Sequence, residues 1–268
     1  MIPLSIARLL AIFDQEQRQD VRFFDVRREV TPDVVRFIPR EGMESDGGVV
    51  VYSCLRAENA DEVIREQITY FEGLGSDFGW KVYDHDTPAD LQARLTTHGF
   101  EPGDPEAIVV LDLEEAPAAL WQPVSHDIRR IEDPAGIDEV IAVQGQVWEE
   151  ELPGWVADHL RQELLEHGEQ IAIYVAYVDG TPASSAWVRF HPPGRFASLW
   201  GGSTVPGQRG RGLYTALVAT RAHEARRRGM RFLTVDASPM SRPILEKLGF
   251  RCISYAHEYR WRVHRPAN

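Results

Sequence analysis

Cysteine is almost absent. The 268 residues hold two, Cys54 and Cys252, with no CxxC and no Cys/His spacing near either, which excludes a disulfide framework and a sequence-local zinc centre. Both are expected as buried strand thiols. No stretch approaches the roughly 20 consecutive apolar residues that a membrane helix needs. From Met1-Ile2-Pro3-Leu4 through Arg8 to Asp14 there is neither a basic leader nor a small-residue cleavage site, so the expectation is a cytoplasmic protein without membrane attachment. Net positive charge is lacking as well: the chain carries −12 at pH 7, which repels a phosphate backbone and argues against nucleic acid as a main partner. His223-Glu224 is followed by Arg227 rather than a second histidine, and no Gly-x-Ser-x-Gly occurs, so neither a zinc-hydrolase helix nor a serine nucleophile elbow is present. What is left is ordinary globular composition, 43% hydrophobic and 26% charged, in a chain long enough for nearly two domains at about 150 residues each.

The positive charge that exists is concentrated. Between Val205 and Phe232 seven arginines (209, 211, 221, 226, 227, 228 and 231) face one acid, Glu224, a local +6 that leaves −18 for the rest. A charge run alone is most often a solvated helix face. This one begins with Thr204-Val205-Pro206-Gly207-Gln208-Arg209-Gly210-Arg211-Gly212-Leu213-Tyr214 and continues as a helix, with Tyr214, Leu217, Val218, Ala222 and Ala225 at helical spacing and Arg221 the single charged residue on that stripe. Ahead of it, Arg195 to Thr204 reads as a strand. Strand, glycine-rich turn and helix N-terminus make an anion site, because glycine lets the backbone approach while unpaired amides and the helix dipole face the charge. No GK[ST] follows, so it is not a Walker loop, and Tyr214 stands where a dinucleotide fingerprint needs its third glycine.

The run Arg209 to Tyr214 resembles the acyl-CoA pyrophosphate loop of the GNAT N-acetyltransferases, with Tyr214 in place of the final small residue. A second ordered segment follows: a strand Arg231 to Ala237, then Ser238-Pro239-Met240-Ser241, a short helix to Leu248 facing the core through Ile244, Leu245 and Leu248, and Gly249-Phe250. Ser241 suits the helix cap, Pro243 its first turn and Gly249 the residue after its end. Upstream, a strand at 126–132, helices at 135–149 and 155–167, a hairpin of 171–178 and 182–191 around Asp179-Gly180, and a last strand at 251–261 complete the order. The resemblance covers residues 124–268 and implies a mixed α/β (α+β) fold.

The first half reads as a worn copy. A strand at 49–55 and a helix at 60–72 parallel the strand and helix around the loop, but Arg56-Ala57-Glu58-Asn59 replaces the glycines. Gly79 to Asp86, a helix at 87–98, Gly99-Phe100 and a strand at 107–113 parallel the later segment. A loop with Glu58 and no glycine neither approaches nor welcomes a diphosphate. The alternative is an unrelated α+β domain with a coincidental Gly-Phe. With a linker near Glu114 to Ala119, the expectation is a tandem GNAT fold: a degenerate domain at 1–119 without phosphate loop, which walls the acceptor site or supports its partner, and a complete acetyltransferase domain at 120–268.

The resemblance implies acetyl-CoA as acyl donor, no metal, and an amine-bearing acceptor attacking the thioester directly in a ternary complex. It places the donor beside Ser203, Thr204, Val205, Arg209, Gly210, Arg211, Gly212, Leu213, Tyr214, Ser238 and Ser241, with amides at 203–205 polarising the carbonyl. Arg226 to Arg228 are read as a basic helix C-terminus in preference to a 3′-phosphate site. Many members have a tyrosine at the position of Leu245 that protonates the leaving thiolate; Ser241, Tyr255 or a water are its replacements here. For the base, Asp236 and Glu150 within Glu149-Glu150-Glu151 are the candidates, the three glutamates being otherwise a solvated helix end or an acidic mouth for a cationic amine. Trp121, Trp148, Trp155, Trp187 and Trp200 are core residues by default. A CoA-binding module without turnover is the alternative function.

Overall fold

The computed structural model describes residues 4–148 and 153–263. Two compact units emerge, Met1–Ile108 with Ala237–Pro239 and Cys252–Asn268, and Val109–Asp236 with Met240–Arg251. The sequence-order boundary at 119/120 differs from this division, because the first unit includes residues 252–268 from the end of the chain and the second begins at Val109.

The first unit begins with α1 (Ile6–Phe13), capped where Ser5 accepts from the Arg8 amide, and runs into a π-helical turn at Asp14–Gln19. Then come β1 (Val26–Val30), β2 (Val34–Pro39), β3 (Gly48–Ser53), α2 (Ala60–Gly73), β4 (Phe78–Tyr83), α3 (Leu91–Thr97) and the first part of β5 (Glu101–Asp112). Its core gathers Val50, Ile64, Phe71, Phe78, Trp80 and Leu95, with Phe71 and Phe78 stacked at 4.2 Å. The helix expected at 87–98 is thus shorter, and the strand expected at 107–113 starts six residues earlier.

The second unit contains the end of β5, then β6 (Asp127–Ile131), α4 (Ile137–Gly145), α5 (Gly154–Glu166), β7 (Ile171–Val178), β8 (Thr181–Phe190), β9 (Phe196–Thr204), α6 (Leu213–Arg227), β10 (Phe232–Ala237) and α7 (Arg242–Lys247). The last strand, β11 (Arg251–Trp261), pairs antiparallel with β4 in the first unit's sheet. Sheet order is β1-β2-β3-β4-β11-β5 in the first unit and β5-β10-β9-β8-β7-β6 in the second. Asp179 and Gly180 both take positive φ, 51° and 76°, the turn geometry that matches strand twist between β7 and β8.

Both units contain one parallel strand pair joined through a helix, and in both the pairing is brief. β3 meets β4 over Gly48↔Phe78 to Val50↔Trp80, and β9 meets β10 over Phe196↔Phe232 to Thr234↔Ser198. Beyond three residues each pair diverges.

Several side chains depart from the sequence reading. Cys54 is exposed and lies outside β3, and Cys252 is partly exposed in β11, so neither is a buried strand thiol. On α7 only Leu245 is buried; Ile244 faces solvent. Helix α4 ends at Gly145, four residues before the expected end.

Candidate functional site

In the second unit the divergence of β9 from β10 leads directly into the loop. β9 first kinks: its register with β8 shifts by one residue between Trp187↔Trp200 and Ser185↔Ser203, a bulge centred on Gly201 at φ 58°. The buried amide of Gln144 on α4 holds that bulge, donating to the Gly201 carbonyl at 2.7 Å and to Ser185 Oγ at 3.0 Å, and accepting from Ser203 Oγ and Trp148 Nε1 at 2.9 Å each. All four hydrogen-bonding positions of the side-chain amide are used.

Past the bulge the backbone groups sort themselves by strand alternation. The Val205 amide donates to the Ala183 carbonyl at 2.9 Å, so it is committed to the sheet and cannot polarise a bound carbonyl. Ser184↔Thr204 is the adjacent register pair, and in an antiparallel ladder the amide and carbonyl of that residue point away from the partner strand. The Thr204 amide therefore faces the diverging side, and its carbonyl accepts from Arg209 Nε at 3.2 Å. Ser203 is buried and engaged with Gln144, which makes it structural support.

The loop is a short 3-10 turn at Pro206–Gln208, then Arg209 extended, Gly210 at φ 76° and Gly212 at φ 79° as the residue before α6. Among the described residues the amides of Gly210, Arg211, Gly212 and Leu213 have no backbone acceptor. Four unpaired amides thus stand at the positive end of a 15-residue helix, an arrangement able to accept an anion. His126 pins the loop through the Arg211 carbonyl at 3.0 Å, and Arg211 bonds Gln208 at 3.0 Å. Both loop arginines are solvent-exposed. At the other end of α6, Arg227 and Arg228 both grip Glu224 at 2.7 Å, consistent with a basic helix terminus.

Of the catalytic candidates, Asp236 is exposed on β10, and Ser241 precedes α7 and hydrogen-bonds Tyr214. Tyr255 belongs to β11 in the first unit, where its carbonyl accepts from Asp84. Ser238 also falls in the first unit's segment. Glu150, with Glu149 and Glu151, lies outside the described residues. Leu245 is fully buried. Two tryptophans assigned to the core are exposed instead, Trp148 at 58% and Trp200 at 40%. Among the described residues no set of His, Cys, Asp and Glu is placed to hold a metal, and no helix is long and apolar enough to cross a membrane.

Below β9, His191 is buried and accepts or donates at Nε2 to Ser198 Oγ at 2.7 Å, while Trp200 Nε1 donates to that oxygen at 2.7 Å. Burial, then the nearby Arg189 charge, depress His191 to about 3 from 6.5. The unfolded chain binds this proton first, so the contribution is complete above pH 6.5 and lost as pH falls toward 3, at about 1.4 kcal/mol per unit. Thermal melts from pH 7 to pH 4 should show that slope, and His191→Asn should flatten it.

The corresponding place in the first unit is built shut. Arg18, from the π-helical turn, sends Nε to the Val51 carbonyl at 3.1 Å, one residue past the last β3–β4 pair, and Nη2 to Asp86 at 2.7 Å. Asp86 in turn accepts from the Tyr83 amide at 3.0 Å, so one guanidinium links both strands where they part. Asp14 at 2.9 Å and the Tyr83 ring at 3.8 Å complete its surroundings. The loop there commits three of its amides to its own turn: Arg56 donates to Asn59 Oδ1 at 2.8 Å, and the Asn59 and Ala60 amides donate to the Arg56 carbonyl.

Residues 137–250 match the model of the acetyltransferase (GNAT) family. No curated protein matches the chain. Among solved structures, a GCN5-related N-acetyltransferase from Kribbella flavida is similar over 98% of this chain and 96% of its own, at 14% identity and TM-score 0.65. A tandem GNAT protein from the clavulanic acid biosynthesis pathway covers 98% and 96% at 12% identity and TM-score 0.60. At these identities the likeness is one of fold.

Proposed function

We propose, taking as premise that this chain is a tandem GNAT-family protein, that it transfers an acetyl group from acetyl-CoA to a primary amine, using the second unit for the donor. The single observation that carries this is the set of unpaired amides at 210–213 opening beside the β9–β10 divergence. They and Arg209 and Arg211 would hold the diphosphate, with Thr204, Leu213 and Tyr214 contributing main chain along the arm and Ser203 and Val205 keeping the strand in place. Bound acetyl-CoA supplies an acyl carbon activated as a thioester, open to direct attack by the amine. The Thr204 amide is the group aimed to stabilise negative charge on its oxygen. Asp236 and the Glu149–Glu151 stretch remain the bases offered for the amine, and Ser241 flanks the donor.

The first unit does not bind coenzyme, because Arg18 occupies its strand divergence and its loop commits the Arg56, Asn59 and Ala60 amides to its own turn and carries Glu58 in place of glycine. It serves as a supporting domain. Calorimetric titration of the full chain with acetyl-CoA should give one site. Gly212→Val, which forces a branched side chain into positive φ, should weaken binding at least about tenfold, or 1.4 kcal/mol. Absence of heat in the parent, together with no hydrogen-exchange protection at 209–214, would overturn the donor assignment.

The burial of Leu245 where a proton donor is expected favours one rival, a CoA-binding module without turnover. Thiol release across a panel of amines separates the two: tight binding with none would support the rival.

A further inference from the structure

Between the pairs Trp187↔Trp200 and Ser185↔Ser203, Ala186 alone on β8 opposes both Gly201 and Gly202 on β9. A two-against-one bulge interrupts the ladder, and the backbone groups it releases need other partners. Here two side chains from different helices supply them. Gln144 of α4, 2% exposed, donates to the Gly201 carbonyl at 2.7 Å. Arg221 of α6, 1% exposed, donates from Nη1 to the carbonyl just before it, that of Trp200, at 3.4 Å, and to that of Trp187 on the facing strand at 3.2 Å.

Stability alone explains neither residue. The other bond of Arg221, from Nε to the Leu217 carbonyl at 3.1 Å, stays within its own helix, and no carboxylate pairs with it among the described residues. Burial lowers Arg221 to about 10, which leaves it charged at neutral pH. A buried cation without a counter-ion is unfavourable by several kcal/mol, and an apolar residue in such a place is often neutral or stabilising. Gln144 shares the buried stripe of α4 with Ile137, Val140 and Val143, where an amide is tolerated only when its polar atoms are bonded. What the two have in common is the bulge. The bulge in turn decides whether the amide of Thr204 or that of Val205 faces away from β8.

We propose, resting on the acetyl-transfer reading above, that Gln144 and Arg221 are positioning residues for the acyl carbonyl: by holding consecutive carbonyls of the bulge, they fix the register that aims the Thr204 amide at the thioester oxygen. They act through β9 and touch neither donor nor acceptor.

Gln144→Glu in the full chain tests this, because the new side chain keeps its shape while its donor depends on pH. Protonated, the carboxyl gives one O–H to the Gly201 carbonyl; ionised, it has no proton to give and sets a charge against that oxygen. None of the side-chain hydrogen-bond partners of Gln144 is ionisable, so a new titration belongs to the introduced group. Burial raises a carboxyl pKa, which brings the transition into a series from about pH 5.5 to about pH 9. Relative to the parent at each pH, the calorimetric Kd for acetyl-CoA should be within about threefold at the acid end and weaker by more than about tenfold at the alkaline end. With any amine that turns over, kcat relative to the parent should fall about 100-fold across the same transition, and the Val205 amide should lose its exchange protection with it. A ratio that stays flat across the series would overturn the proposal, whatever the melting temperature does, and would leave Gln144 a packing residue. If the parent itself binds no acetyl-CoA, the acetyl-transfer reading fails first, while Val205 exchange still reports whether Gln144 holds the bulge. Should Gln144→Glu not fold, Arg221→Met decides at a temperature where it remains folded: acetyl-CoA binding weakened more than about tenfold with Val205 exposed to exchange would support the idea, and unchanged affinity with Val205 protected would sink it.

Discussion

Arg18→Met is expected to destabilise the first unit by about 3–5 kcal/mol, measured by chemical denaturation. Arg18 is 1% exposed, and its partner Asp86 has a side chain only 3% exposed. Methionine fills similar volume but leaves the Asp86 carboxylate buried without its cation, and it frees the Val51 carbonyl. The loss should therefore come mostly from the stranded charge. Asp86→Asn added to Arg18→Met should recover a large share, since the amide still accepts from the Tyr83 backbone. Additive effects in this double-mutant cycle would contradict the pairing. Asp14 reports on the same cluster: burial opposes its charge, but bonds from His85 and Arg18 hold its carboxyl below the ordinary range. Arg18→Met should raise it. The variant should not gain coenzyme affinity, because the loop amides at Arg56, Asn59 and Ala60 remain committed to their own turn.

That cluster illustrates what the sequence conceals. The segment Asp14–Gln19, DQEQRQ, has nothing in its pattern to distinguish Arg18 from any surface arginine; its burial comes from β3, β4 and the Asp84-His85-Asp86 turn, all distant in sequence. The same holds for Arg221, legible only as an oddity on an apolar stripe. The Gly210 and Gly212 turn was readable because positive φ demands glycine locally, as was the Asp179-Gly180 hairpin. Strand partners were not: β11 follows α7 in the chain yet pairs with β4, so the sequence gives no hint that Tyr255 belongs to the first unit. The Gln144 amide was missed for a related reason. A lone glutamine in an amphipathic helix carries no mark of the bulge it will hold.

Gly201→Ala should be the most damaging single-atom change in the second unit, at about 3–5 kcal/mol from crowding and positive-φ strain together. An added Cβ would meet Trp187 Cζ3 at 1.8 Å, and Trp187 belongs to the same buried cluster as Ile137, Val140 and Leu160. The cheaper escape is for β9 to lose its bulge. That would slide Ser203, Thr204 and Val205 by one position against β8, and a one-residue slip reverses which amides face the partner strand. Thr204 would then point its amide into the sheet and Val205 would point its own outward. At a temperature where the variant remains folded, acetyl-CoA affinity should consequently fall more than about tenfold, although no loop residue has changed. Trp187→Leu opens the space but leaves φ at 58°. Combined with Gly201→Ala it should restore most of the stability lost to crowding and recover coenzyme binding only if the bulge returns. Hydrogen exchange at the Val205 amide distinguishes the outcomes: protected with the bulge in place, where it donates to Ala183, and exchanging once the register has slipped. Protection retained in the weakened variant would show that the bulge does not govern the donor site.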